Sequence, residues 1–417
     1  MKRRKIDVGE KLPILEALPL SIQHLFAMFG ASVLVPVIFQ INPAIVLLFN
    51  GIGTLLFIFI TKKKVPAFLG SSFAFISPAL VIMGKYGYNE VLGGFIVSGI
   101  VFSLVALIIR TIGTKWMDVV FPPAAMGAIV AIIGLELAPV AAEMAGFTGE
   151  TVDIKAITVS VITFLIVTIG SVTFRGFLSA IPILIGIISG YVLSFFMGIV
   201  DFSVIAKASW LQMPEFYQPA FRWDAIMIIL PATLVVISEH IGHLIVTSNI
   251  VGHDLRKNPG LHRTMLGDGI STTLSGFFGS VPTTTYGENI GVMAITGVYS
   301  VWVIGGAAII SIVLSFVGKL TAAIQTIPTP VMGGVSLLLF GVIASSGIRM
   351  LVEEKVDYSN SKNLVLTSAV LVIGLSGIHI NIGSLELKGM ALATIVSILL
   401  SIIFEIFESL HITRNEE

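Results

Sequence analysis

Cysteine is absent from the 417-residue sequence, and charge is scarce: 12% of residues are Asp, Glu, Lys or Arg, against 55% apolar. The first absence removes disulfides, thiolate metal ligands and thiol catalysis together, although it identifies no compartment. The second excludes a soluble domain of this length, because apolar blocks of about 20 residues, the span of a bilayer's hydrocarbon core, recur along the chain. Formal net charge is zero, which argues against a nucleic-acid partner. No Walker A sequence or glycine-rich dinucleotide fingerprint occurs, so transport would draw on a gradient rather than on ATP. What is present reads as a polytopic, all-α membrane protein. The basic start of the chain runs into an apolar stretch holding Gln23 and His24 without a small-residue cleavage site, so this first span is expected to stay.

Apolar blocks between charged or Gly/Pro-rich breaks predict fourteen spans, near residues 17–38, 43–61, 66–80, 91–110, 119–138, 155–173, 178–199, 225–250, 262–279, 282–296, 299–317, 328–348, 363–380 and 388–408. With a cytoplasmic N-terminus, eighteen of the 24 Lys and Arg fall in even-numbered connections and the two ends, among them Lys2, Arg3, Arg110, Arg263, Arg349 and Arg414. Basic residues stay on the cytoplasmic side during insertion, so both termini are expected there.

The chain also repeats itself. Leu18-Pro19, Pro66 and Pro122 with Met126-Gly127 recur in order as Leu230-Pro231, Pro282 and Pro328 with Met332-Gly333, each roughly 210 residues further on. Seven spans per half is an odd number, so the second copy enters the membrane upside down. Such inverted repeats place a binding site at mid-membrane, where the halves meet. The third and tenth spans look broken: one is short and carries Gly70-Ser71-Ser72, and the other opens on Pro282 and three threonines before Gly287, Gly291 and Gly297. Non-helical backbone at that depth is tolerated only where protein or a water-filled cavity satisfies it.

Ionisable residues inside spans are few, and in a membrane protein they mark function. The eighth span supplies Glu239, His240 and His243. Glu239 and His243 are four apart and share a helical face, whereas His240 points elsewhere and is expected to serve polar packing. Glu288 comes from the tenth span. Two carboxylates and an imidazole there suit a polar ligand and a shared proton; holding helices together is the competing role. His24 and Asp268 suit interhelical hydrogen bonds, and Glu405 and Glu408 are expected to be solvated. The string EHIGH does not meet the spacing of a zinc protease, so neither metal nor cofactor is expected.

At these positions the chain resembles the nucleobase–ascorbate transporters, or nucleobase:cation symporter family 2. The signature is Glu288-Asn289-Ile290-Gly291 with Thr296, and agreement runs from Gln23-His24 through Gly70-Ser71-Ser72-Phe73 and Glu239-His240 to Val331-Met332-Gly333-Gly334. Gly297 stands where the signature commonly has Arg, and Phe340 where close relatives often have Tyr. The resemblance covers essentially the whole chain and is nearest to bacterial members that carry uracil. It implies two inverted sevens, with short antiparallel strands in segments 3 and 10. A core domain would take about 17–115 and 225–320, and a gate domain, which also supports a homodimer, about 116–224 and 321–410. It implies proton-coupled uracil uptake by alternating access across the bacterial inner (cytoplasmic) membrane. The base would lie between Phe73 and Gly287, hydrogen-bonded by Glu239 and Glu288, with His243 coupling the proton and Ala31, Tyr286 and Phe340 as further pocket-lining candidates.

Uracil's edge alternates N–H donors with carbonyl acceptors, which suits carboxylates facing backbone N–H groups. Xanthine or uric acid as substrate is the nearest alternative. An inverted-repeat anion exchanger is another, disfavoured because the expected centre holds no Lys or Arg; a channel would need a continuous polar pore.

Overall fold

The computed structural model describes residues 4–148, 153–382 and 385–410. Lys2, Arg3 and Arg414, counted above as cytoplasmic, lie outside the described residues. The elements follow the apolar blocks closely. Helices α1 (Ile14–Phe39) and α2 (Pro43–Ile60) lead into a short strand β1 (Leu69–Ser71), a single 3-10 turn (Phe73–Phe75) and a half-length helix α3 (Ile76–Lys85). Then come α4 (Tyr88–Ile112), the short α5 (Lys115–Val120), α6 (Pro123–Glu136), α7 (Ala138–Met144), α8 (Ile154–Thr173), α9 (Pro182–Phe196) and the short α10 (Ser203–Lys207). The second half holds α11 (Trp223–Val251), α12 (Leu261–Phe277), strand β2 (Thr283–Thr285), half-helix α13 (Gly287–Thr296), α14 (Val301–Ser315) and α15 (Gly318–Gln325). It closes with α16 (Thr329–Glu353), α17 (Ser361–Leu375), strands β3 (His379–Ile382) and β4 (Leu385–Lys388), and α18 (Gly389–Ser409). Among the described residues, eight helices are long and apolar enough to cross a membrane.

Two packing groups are visible. In one, α12 lies against α4 and α2, α14 against α2 and α1, and α11 against α4; in the other, α16 lies against α6, α7 and α8, with α17 on α6 and α18. The α4–α12 contact is a backbone approach: a Cβ on Gly99 would stand 2.7 Å from the carbonyl of Gly269, and one on Gly269 would stand 2.9 Å from that of Gly99.

The two interrupted segments meet. Strand β1 pairs antiparallel with β2, Leu69 opposite Thr285 and Ser71 opposite Thr283, and the ladder continues through Ser72 N–H to the Pro282 carbonyl (3.0 Å) and Tyr286 N–H to the Phe68 carbonyl (3.3 Å). A two-stranded ribbon has two open edges, and away from water each unpaired group would cost several kcal/mol. Threonines from neighbouring helices cover both. Thr54 on α2 accepts from Leu69 N–H (2.8 Å) while donating to the Asn50 carbonyl (2.7 Å). Thr272 on α12 accepts from Thr283 N–H (3.3 Å) and donates to its carbonyl (3.1 Å).

Three features depart from the sequence reading. The connection before the last helix is an antiparallel hairpin, β3 with β4. Helix α16 runs past the expected end at 348 to Glu353. Glu405 and Glu408 are not simply solvated: Lys362 donates to both, at 3.4 and 2.6 Å.

Replacing Thr54 by Val keeps the shape but leaves the Leu69 N–H unpaired, so a loss of about 1–3 kcal/mol is expected. Thermal melting of the detergent-solubilised protein should drop for Thr54→Val and be largely restored in Thr54→Ser; equal melting of all three would remove the edge-capping role.

Candidate functional site

Where the strands end, two half-helices begin. Phe73 opens the first, and Tyr286 is the residue before α13, which starts at Gly287 and carries Glu288 in its first turn. A carboxylate there complements the positive end of the helix dipole. The long α11 crosses beside them and presents Glu239 and His243 one turn apart, both half-buried.

A cavity of about 870 Å³, its open mouth included, lies between α11, α13, α6 and α16. Glu239, His243 and Gly287 line it, with Met126 and Val130 from α6, and Arg349, Glu353 and Glu354 at the rim. Among the described residues none donates a hydrogen bond to the Glu239 carboxylate, so its acceptor capacity faces the cavity. Glu288 follows Gly287 in the first turn of α13 and is not itself among the residues that line the cavity. The His243 ring is held between two elements: Nδ1 is 3.3 Å from Thr285 Oγ1, and a Cβ on Gly287 would stand 3.4 Å from Nε2. Imidazole and carboxylate thus flank the start of α13, a setting in which a proton can be shared.

The other expected pocket residues are not in the cavity lining. Phe73 stacks on Tyr286 (centroids 6.3 Å, planes 7° apart) and meets Phe340 edge-on (6.3 Å), forming a buried aromatic cluster beside the strands. Ala31 is fully buried on α1. These side chains pack behind the cavity; aromatic surface here is buried against aromatic surface.

Two polar networks support the centre. Asn289 donates to His24 Nδ1 (3.1 Å) and accepts from the Phe68 N–H (3.2 Å), tying α1, the entry to β1 and α13 together. His240 points away from the cavity, as its spacing implies: Nε2 is 2.8 Å from Thr264 Oγ1 and Nδ1 is 2.7 Å from Asp268 Oδ2, a fully buried pair across α11 and α12. Gly297 ends α13 with φ 71°, its N–H reaching the Met293 carbonyl (2.9 Å) and its carbonyl accepting from Ile6 N–H (2.9 Å). The left-handed cap explains why glycine suits this position, where a side chain would cost roughly 1–2 kcal/mol. The sequence reading missed Met126, Val130 and Arg349. In the sequence Met126 marks only a repeat, Arg349 only a basic connection, and Val130 reads as ordinary apolar span.

The Permease family matches residues 15–383. The chain belongs to that family. It is the nucleobase:cation symporter family 2 of the resemblance above, and its members are transporters, not enzymes. Similar permeases include the uracil permease of Paenibacillus larvae, 62% identical over 98% of this chain and 99% of the relative. That of Escherichia coli is 64% identical over 100% and 97%, and that of Bacillus subtilis 45% over 97% and 96%. The fold is shared more widely. The transmembrane domain of the cyanobacterial bicarbonate transporter BicA aligns with TM-score 0.65 at 12% identity, over 94% of this chain and 99% of that one. The murine anion transporter Slc26a9 in its inward-facing state aligns with TM-score 0.74 at 10% identity, over 96% and 69%.

Gly291 lines the cavity, and a Cβ there meets nothing within 4 Å. Gly291→Ala should therefore melt like the parent protein. Gly291→Phe should also fold but fill the cavity and cut substrate uptake roughly tenfold or more, since lost complementarity in a closed site is worth a few kcal/mol. Full uptake by Gly291→Phe would show that the ligand does not pass this wall.

Proposed function

We propose that this permease carries uracil with protons across the bacterial inner membrane by alternating access. The observation that carries this reading is Glu239, whose carboxylate lines the cavity beside the exposed backbone of Gly287, with Glu288 next along α13 as the second carboxylate we assign to the base. Two N–H donors and two carbonyl acceptors on a uracil ring match carboxylates on one side and the N–H groups at a half-helix start on the other. Near-complete coverage by relatives named uracil permeases supports the same substrate. Phe73 supplies the apolar wall behind the base, while Tyr286 and Phe340 hold Phe73 in place; Ala31 backs the site from α1.

His243 and Glu239 hold the transported proton as a coupled pair, so its titration belongs to both. Fourteen segments form two inverted sevens, with Thr54 and Thr272 doing the same work in the second and ninth. The first packing group, about 17–115 and 225–320, is the core; the second, about 116–224 and 321–410, is the gate and the homodimer surface. Both termini face the cytoplasm, and the cavity mouth therefore opens inward.

The outer face is closed by contacts between the two groups. Ser77 on α3 donates to Glu136 (2.7 Å), which also accepts from the Met390 N–H at the start of α18 (2.9 Å). Lys85 lies 3.2 Å from Glu386 on the hairpin. Lys85, together with Lys388, holds the Glu386 carboxyl below its ordinary range. The sign is that of a depressed acid: the contact is present above the ordinary carboxylate pKa and is lost as pH falls through the lowered one.

An anion exchanger is the second reading, on the fold likeness. The start of α13 carries Glu288 and shares the cavity with Glu239, and Arg349 at the cavity pairs with Glu353 at its rim (2.7 Å), which disfavours an anion.

Uptake of labelled uracil into proteoliposomes under an inward proton gradient is expected to saturate, to stop with a protonophore, and to fall about a hundredfold or more in Glu239→Gln or Glu288→Ala, the scale of losing one buried charged hydrogen bond. Competition by unlabelled uracil but not by xanthine, uric acid or bicarbonate separates the alternatives. His243→Ala should uncouple, with uracil exchange retained and gradient-driven accumulation lost; full accumulation in this variant would end the coupling scheme. For the outer contact, thiol-labelling from the outside of a cysteine placed at Val81, which lines the same crevice as Glu386, should rise in Glu386→Gln, and unchanged labelling would remove that contact from the closing mechanism.

A further inference from the structure

On the cavity-mouth side of the protein, away from the transport site, α4 ends and α12 begins next to each other. A groove of about 400 Å³, its open side included, lies between them, lined by Ala106, Leu107 and Arg110 of α4 and His262, Arg263 and Leu266 of α12. Two guanidinium groups and an imidazole thus sit at one end of an otherwise apolar slot. Among the described residues neither arginine has a carboxylate within salt-bridge distance, and Arg263 instead donates to the carbonyl of Ile60 (3.3 Å), which orients it. The surface onto which the slot opens is apolar: Leu104, Leu107 and Ile108 are exposed along α4, and Ile270 along α12. Exposed leucines and isoleucines on a membrane helix face acyl chains, so this slot lies at the boundary between chains and headgroups.

We propose that this groove is a binding site for one anionic phospholipid. The phosphate sits among Arg110, His262 and Arg263, and the acyl chain lies along Ala106, Leu107 and Leu266. The chemistry requires both parts. Guanidinium groups match phosphate oxygens bidentately, and two arginines left without acids favour a headgroup of net negative charge over a zwitterionic one, whose ammonium group offsets the phosphate. Basic pockets between helices near the cytoplasmic surface are suited to such headgroups. A soluble phosphate would meet the same cations but would leave the apolar slot to another occupant. The glycine contact of Gly99 with Gly269 brings the two helices together deeper in the membrane and thereby fixes the width of the slot at its end.

The test uses the whole protein in two arms. In detergent, phosphatidylglycerol should raise the melting temperature more than phosphatidylcholine does, and Arg110→Gln with Arg263→Gln should weaken that preference roughly tenfold or more. Glycerol phosphate, which carries the headgroup charge without chains, should not reproduce the shift. An unchanged preference in the double variant overturns the site, and an equal shift from glycerol phosphate overturns the lipid in favour of a small anion. The second arm needs no variant: a photoreactive phosphatidylglycerol added to the unmodified protein should label peptides covering residues 104–110 and 261–270. Labelling confined to other helices would also overturn the proposal.

Discussion

The fold depends on one requirement, that backbone left outside a helix within the membrane must find hydrogen-bond partners in the protein itself. Two segments stop being helical at the centre, and each solves half of the other's problem: β1 and β2 pair, and the edges that pairing cannot reach are closed by Thr54, Thr272 and Asn289. Neither segment could be interrupted alone. The half-helices α3 and α13 exist because the strands before them are satisfied, and they bring their N-terminal N–H groups to the same level from opposite sides.

From this arrangement the site follows. A transport site needs polar groups that are held by the protein and yet free toward the ligand. In the proposed site Glu239 fits that need: the helix α11 carries it past the start of α13, while His240 is turned toward Thr264 and Asp268, and His24 toward Asn289. Each buried polar group near the centre that is tied down leaves fewer candidates for the ligand. Of the polar side chains on α11, Glu239 and His243 are the two that line the cavity.

Much of this was legible in the sequence. The span boundaries follow from run length and hydropathy, with most helix ends close to the expected residues. Proline, glycine and threonine crowded into two segments mark the interruptions, and a spacing of four puts Glu239 with His243. Other features could not be read because the signal is degenerate. Thr54 and Thr272 resemble any threonine that bonds back to its own helix, as Thr247 does to the His243 carbonyl (2.7 Å), and nothing in sequence separates an edge cap from a helix residue. Arg349 was placed in a loop because hydropathy ends a span at its first charge, whereas a helix continues past the membrane. The hairpin was readable in retrospect: Ile380 and Ile382, then Leu385 and Leu387, alternate with polar residues at a period of two.

The pairing of β1 with β2 also has a mechanical meaning. Ladder hydrogen bonds lie across the strands, so a force along one strand loads all of them together, whereas a force at right angles opens them one at a time. The half-helices extend from the ends of these strands. Pulling either along its strand therefore meets the full stiffness of the ribbon, and the two broken segments behave under such a load as a single strut, unable to slip past each other by one residue without reversing every side chain they present.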